Sequence, residues 1–177
     1  YERLLDVAHA GIPVVIAPGN HERGKLPSSL FLQHENIHVF QQPETFPFEV
    51  KGVPITISGF PYYYGDVRNA FPEWMDDLSR YRAKDVINLW LFHHAVEGCK
   101  VSNFTFRGRE DTIRLSDMNG DYHAYLSGHI HRQQVLWTGH ELNGGKVPML
   151  YPGSIERTSV MEMAEEKGYY MLHFAQG

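Results

Sequence analysis

The chain passes from a β-branched run into a sharp turn at Val14-Val15-Ile16-Ala17-Pro18-Gly19-Asn20-His21-Glu22. Upstream, apolar side chains recur at helical spacing until Gly11 and Pro13 end the helix. The pattern predicts a helix, a turn and a buried strand. Because the turn follows the carboxyl end of that strand, the side chains after it are predicted to lie where α/β sheets commonly bind ligands.

Predicted strands dominate the second half of the chain. Short apolar and β-branched runs predict strands at residues 55–58, 87–92, 122–127, 134–137, 149–151 and 169–174. One clear helix is predicted near residues 73–83, and residues 61–65 are predicted to form a loop. Together with the early helix and strand, this order predicts an α/β fold in which two mixed sheets pack face to face with helices outside. We expect one domain over residues 1–177.

Composition narrows the class of protein. A hydrophobic content of 42% over 177 residues is ordinary for a globular domain, and the longest apolar run is too short to cross a bilayer. The lone cysteine, Cys99, cannot form an internal disulfide, so a reducing compartment is expected and the cytoplasm is favoured. A net charge of −5 is not the basic balance typical of nucleic-acid binders, although bound cations would reverse the local charge at a site.

Three histidine-bearing sites, residues 19–22, 92–94 and 127–131, each follow a predicted strand. Taken singly, they have ordinary interpretations: a plain turn, a buried histidine beside an exposed one, and a surface pair or half of a structural zinc site. Their joint occurrence at strand ends favours one metal site, because imidazole and amide oxygen are ligands for Mn, Fe or Zn. The candidate ligands are Asn20, His93, His129 and His131.

In this order, the three sites resemble the last three of the five signatures of the calcineurin-like metallophosphoesterase superfamily. The resemblance implies two divalent ions, with Mn²⁺ preferred and Fe or Zn as alternatives. Asn20, His93 and His129 would bind one ion and His131 the other. His93 is chosen over His94, the reserve candidate, because it directly ends the apolar run at residues 89–92.

The resemblance also implies a general acid, His21, beside the first ligand. Glu22 would either orient His21 or be a solvated carboxylate. The first two signatures of the superfamily are absent from the sequence, and Gly65-Asp66 is interpreted as a loop turn rather than a replacement. We expect the missing ligands before Tyr1, so the N-terminal part of the fold would be absent, and we expect these 177 residues alone to bind metal weakly and to have little activity.

A narrower resemblance lies near the end of the chain. The phrase Tyr151-Pro152-Gly153-Ser154-Ile155-Glu156-Arg157, followed by Glu166-Lys167-Gly168-Tyr169, resembles the SbcD-like branch of DNA-repair nucleases. This implies a DNA exonuclease or endonuclease that works with an SbcC-like ATPase partner, and a homodimer is compatible with it. Candidate phosphate contacts are Arg23, Arg132 and Arg157.

Two other functions remain open from the sequence. The same ions could serve a general phosphomonoesterase or a cyclic-nucleotide phosphodiesterase. Without the first metal site, the chain could instead be a non-catalytic binding module. The tyrosines at residues 62–64 could stack on bases or could simply pack a loop.

Overall fold

A computed structural model describes residues 2–22, 34–83, 85–119 and 122–174. Within these ranges, the helices are α1 (Glu2–His9) and α2 (Val67–Ser79), and two 3-10 turns lie at Leu115–Asp117 and Val160–Glu162. The strands are β1 (Val14–Ile16), β2 (Ile37–Val39), β3 (Glu44–Val50), β4 (Val53–Gly59), β5 (Ile87–Phe92), β6 (Ala95–Val96), β7 (Lys100–Val101), β8 (Phe104–Thr105), β9 (Thr112–Ile113), β10 (Ala124–Ser127), β11 (Gln134–Leu142) and β12 (Gly145–Tyr151). None of the helices in these ranges has the length and apolar composition needed to cross a membrane.

The largest sheet has six strands in the order β11-β12-β10-β5-β4-β3. Its four central strands are parallel, and β3 and β11 pair antiparallel at the two edges. Three two-stranded sheets, β1-β2, β6-β9 and β7-β8, complete the strands of the described residues. The predicted α/β class, with mixed sheets flanked by few helices, is confirmed.

Strand register brings three carboxyl ends to one edge of this sheet. Phe92 of β5 lies opposite Ser127 of β10, and Gly59 of β4 lies opposite Leu91 of β5. The central strand β5 is mostly buried and almost continuously apolar, as expected for a parallel strand that is covered on both faces. Residues that follow β4, β5 and β10 therefore leave the sheet side by side.

Helix α2 covers one face of the central strands with Phe71, Met75 and Leu78, which join a core that contains Trp90 and Phe92. The helix begins at Asp66, whose carboxylate accepts a 3.0 Å hydrogen bond from the backbone N–H of Asn69.

Pro72 lies inside α2 and cannot donate to the carbonyl of Arg68, one turn earlier. The Arg114 guanidinium donates to that carbonyl instead, at 3.0 Å, so the helix continues through the proline.

Several predicted elements differ from the observed ones. The helix predicted at residues 73–83 spans Val67–Ser79, because the Asp66 cap starts it earlier. The strand predicted at residues 169–174 is wrong: these residues pair with no strand of the described chain, and Tyr169 and Met171 are 76% and 67% exposed. Residues 61–65 form the predicted loop, and Gly65-Asp66 leads into α2.

Candidate active site

Two histidine-bearing turns leave the paired strands β5 and β10 at the same edge of the sheet. His93 follows β5 directly, and His129 follows Gly128 after β10. The ring centroids of His93 and His129 are 5.4 Å apart, with an interplanar angle of 66°. The parallel register of the strands therefore brings together two of the predicted ligands, from positions 36 residues apart in the sequence.

Two glycines make room for the His93 ring. A Cβ atom at Gly19 would lie 2.6 Å from His93 Cε1, and a Cβ atom at Gly128 would lie 2.6 Å from His93 Nδ1. Neither position can carry a side chain unless His93 moves. The turn after β1 and the turn after β10 thus close on the same imidazole.

His129 has a strained backbone. Its φ angle is 69°, and the N–H of Ile130 donates to the carbonyl of Gly128 at 2.8 Å. An i to i+2 hydrogen bond around a residue with positive φ defines the rare form of γ-turn, which costs on the order of 1 to 3 kcal/mol. Strain of this kind is retained where the surroundings fix one side-chain direction, and here it holds His129 beside His93.

Burial keeps the two central imidazoles neutral. Burial, helped by nearby His129, His21 and His131, lowers the pKa of His93 to about 4. Burial also lowers the pKa of His129, while the Asp111 carboxylate opposes this shift. His21 and His131 therefore lie within electrostatic range of both His93 and His129, and burial leaves the two central imidazoles neutral, with a lone pair each, at neutral pH.

The turn that contains Asn20 and His21 is held from two sides. Glu22 Oε2 accepts a 2.6 Å hydrogen bond from the backbone N–H of Gly19, and Tyr64 donates its hydroxyl to the carbonyl of Asn20 at 2.8 Å. Asn20 is half-buried and His21 is exposed. Glu22 thus closes the turn itself.

His131 is held by a carboxylate from the C-terminal segment. Its Nδ1 lies 3.0 Å from Glu162 Oε1 and 3.0 Å from Thr158 Oγ1. Hydrogen bonds from Lys167, His131 and Thr158 hold the pKa of Glu162 well below its usual range. Both of these contacts to His131 are made through Nδ1.

His94 supports the site from beneath it. The side chain is fully buried, its Nε2 accepts a 2.9 Å hydrogen bond from the N–H of Tyr63, and its ring stacks on Tyr62 at 4.3 Å. Ser127 Oγ accepts from the N–H of His94, and the Tyr151 hydroxyl donates to the His94 carbonyl. These contacts favour His93 as the ligand, and that choice stays a prediction.

Acidification from pH 7 to pH 5 is expected to destabilise the fold through His94, by about 2 kcal/mol. Burial lowers the pKa of His94 to about 3, from 6.5 in the unfolded chain. The unfolded chain therefore takes up a proton in this range while the folded chain does not, and the free energy of unfolding decreases as the pH falls.

Urea denaturation at the two pH values measures the change. His94→Gln should weaken this pH dependence, whereas His140→Gln, at an exposed position of β11, should preserve it. Equal dependence in both variants would contradict the prediction.

The structure describes two of the three arginines that were predicted to contact phosphate. Arg132 and Arg157 are exposed, and Arg157 donates to the carbonyl of Glu165 at 3.1 Å. Arg23 lies outside the described residues.

Asp111 was missed by sequence reasoning although it acts on His129; its carboxylate forms a two-point ion pair with Arg109. Only its charge could have drawn attention to it.

The candidate ligands His93 and His129 are neighbours, but they are not part of a complete metal-binding group among the described residues. No group of three or more His, Cys, Asp or Glu side chains in the described ranges has the arrangement needed to hold a metal ion. The imidazoles of His93 and His129 are the predicted ligands whose rings are in contact here.

Comparison with known proteins supports the fold. No family model and no curated protein matches the chain. Among solved structures, it is similar to a Staphylococcus aureus protein provisionally named a 5′-nucleotidase, solved in complex with α-ketoglutarate, with a TM-score of 0.51 and 16% sequence identity. The match covers 86% of this chain and 34% of that one. The chain therefore spans about a third of the length of that protein, and at this identity the two share a fold.

Proposed function

We propose that the protein is a metal-dependent phosphoester hydrolase. The observation that carries this proposal is the meeting of His93 and His129 at the carboxyl edge of β5 and β10, with the strained turn at His129 and the glycine-lined space around His93. Pairs of neutral imidazoles at such an edge are suited to bind cations.

The residues present fit divalent cations by their chemistry. Asn20, His93 and His129 would hold one ion and His131 the other; Mn²⁺ is the ion we favour, with Fe or Zn as alternatives. Burial favours the neutral, ligating form of His93, and the Glu162 carboxylate holds the opposite nitrogen of His131, as the partners of ligating histidines usually do. Bound ions would supply a water of lowered pKa and neutralise charge on the phosphoryl oxygens.

The chain itself must supply a proton to the leaving oxygen. His21 is the candidate, because it is exposed, follows Asn20 directly and lies within electrostatic range of His93. The hydrogen bonds from Gly19 to Glu22 and from Tyr64 to Asn20 fix the turn that carries it. Exposure allows His21 to regain its proton from solvent.

DNA is the substrate we favour, in a repair nuclease of the SbcD-like kind with an ATPase partner. The terminal phrase from Tyr151 to Arg157 supports this choice, and exposed Arg132 and Arg157 could contact backbone phosphates. The second candidate is a nucleotide phosphomonoesterase, which is favoured by the name of the structurally similar protein.

Substrate preference tests the proposal. The full-length protein with Mn²⁺ should hydrolyse bis-p-nitrophenyl phosphate, and His93→Ala should remove that activity. Faster cleavage of linear DNA than of a nucleoside 5′-monophosphate would support the nuclease, and the reverse preference would support the phosphomonoesterase. If the wild-type protein cleaves none of these substrates while it still binds Mn²⁺, a non-catalytic binding module becomes the better interpretation.

A further inference from the structure

A buried carboxylate, Glu162, connects the C-terminal segment to His131. Glu162 ends the 3-10 turn Val160–Glu162 and is 8% exposed, whereas Val160, Met161 and Met163 are 79%, 77% and 71% exposed. Burial of the acid beside exposed apolar side chains reverses the arrangement that the hydrophobic effect favours. The hydrogen-bond partners of the Glu162 carboxylate must offset the free-energy cost of removing it from water.

Both oxygens of Glu162 are fully engaged. Oε1 lies 2.7 Å from Thr158 Oγ1, which donates to it, and 3.0 Å from His131 Nδ1. Oε2 accepts from Lys167 Nζ at 2.6 Å and from Ser154 Oγ at 3.1 Å. Ser154, Thr158 and Lys167 from the tail and His131 from the turn after β10 thus meet around a single carboxylate.

This arrangement determines which nitrogen of His131 carries the proton. A carboxylate oxygen only accepts hydrogen bonds, so a bare Nδ1 would place a lone pair against Glu162 Oε1 at 3.0 Å. The Thr158 hydroxyl has one hydrogen, which is directed to Glu162. Nδ1 must therefore be the donor, and in the neutral ring Nε2 is left bare.

Lys167 holds this arrangement in place. Its side chain is 7% exposed, and its ammonium group donates to Glu162, to Ser154 Oγ at 2.8 Å and to the carbonyl of His131 at 2.9 Å. One cation therefore neutralises the carboxylate that binds the His131 ring and also binds the backbone of the same histidine.

We propose that Glu162, held by Lys167, is a positioning residue that fixes the Nδ1–H tautomer and the ring direction of His131. The bare Nε2 is then presented to the candidate active site. That Nε2 binds a cation rests on the proposed function, whereas the tautomer does not. Ser154 and Lys167 lie in the two stretches that resemble the SbcD-like nucleases, residues 151–157 and 166–169, and this arrangement gives both a physical role.

The tautomer can be measured by long-range ¹H–¹⁵N NMR of the 177-residue chain, with ¹⁵N-labelled histidine and no added metal, at a pH where imidazoles are neutral. His131→Gln identifies the signal. We expect a protonated Nδ1 and a bare Nε2 in the wild type, and a shift of the proton to Nε2 in Glu162→Ala. The control Glu165→Gln, whose carboxylate lies 3.7 Å from Lys167, should keep the wild-type pattern.

A bare Nδ1 in the wild-type spectrum would overturn the proposal even if Glu162→Ala fails to fold. An unchanged tautomer in a folded Glu162→Ala chain would overturn it as well. Absence of Mn²⁺ affinity or hydrolysis in the full-length protein would count against the proposed function and would leave the tautomer result intact.

Discussion

His21→Ala is expected to lower turnover of a phosphodiester with an alkoxide leaving group by about 10²- to 10⁴-fold. Such a leaving oxygen needs a proton, and His21 is the exposed imidazole next to the predicted ligand Asn20. Steady-state kinetics of the full-length protein on DNA measures the loss. Metal affinity should be retained, because His21 is not among the proposed ligands.

A better leaving group provides the control for this prediction. A p-nitrophenolate ion departs without protonation, so the same variant should lose far less activity on bis-p-nitrophenyl phosphate. His140→Ala, at an exposed position of β11, should match the wild type on both substrates. Equal losses on the two substrates would show that His21 positions groups rather than donating a proton, and full activity on DNA would remove it from the mechanism.

Gly59→Ala is expected to destabilise the fold by about 3 kcal/mol. The new Cβ would collide with the backbone carbonyl of Leu91, its register partner on β5, and would lie 2.7 Å from two ring carbons of buried Phe40. Backbone atoms of a hydrogen-bonded sheet cannot rotate away. The collision can therefore be relieved only if β4 and β5 separate just before His93.

Urea denaturation of Gly59→Ala measures this loss. Gly139→Ala is the matched control, since a Cβ at that position of β11 meets no atom within 4 Å. Alanine should change the stability there by no more than about 1 kcal/mol, in the favourable direction. Equal stability of the two variants would mean that the close approach of Gly59 to Leu91 is relieved without cost.

Strand β5 shows what the sequence predicts well. Its limits, Ile87–Phe92, agree with the prediction, because a parallel strand covered on both faces is continuously apolar and ends abruptly at polar residues. The predicted bounds of helix α2 differ from the observed ones for two reasons. Its start depends on the Asp66 cap, and its continuation through Pro72 depends on Arg114, a residue distant in sequence. The aromatic and apolar run at residues 169–174 resembles a strand, yet a strand forms only where a neighbour offers hydrogen bonds.

The candidate site divides in the same way. Histidines after strands could be predicted to meet, since parallel strands share their carboxyl edge. The hydrogen bonds that hold the histidine side chains could not be predicted, because Glu162 is 31 residues from His131 and Tyr63 is 31 residues from His94. Contacts of this kind depend on loop paths that no local pattern specifies.

The outer strands of the six-stranded sheet bear on how molecules of this protein can associate. Pro47 interrupts β3 and carries no N–H, and the register of β11 shifts between Trp137 and Glu141. A missing donor on one border and an irregular ladder on the other both discourage a foreign strand from adding to the sheet. Growth of the sheet from molecule to molecule, the first step of fibrous aggregation, is therefore opposed at both borders.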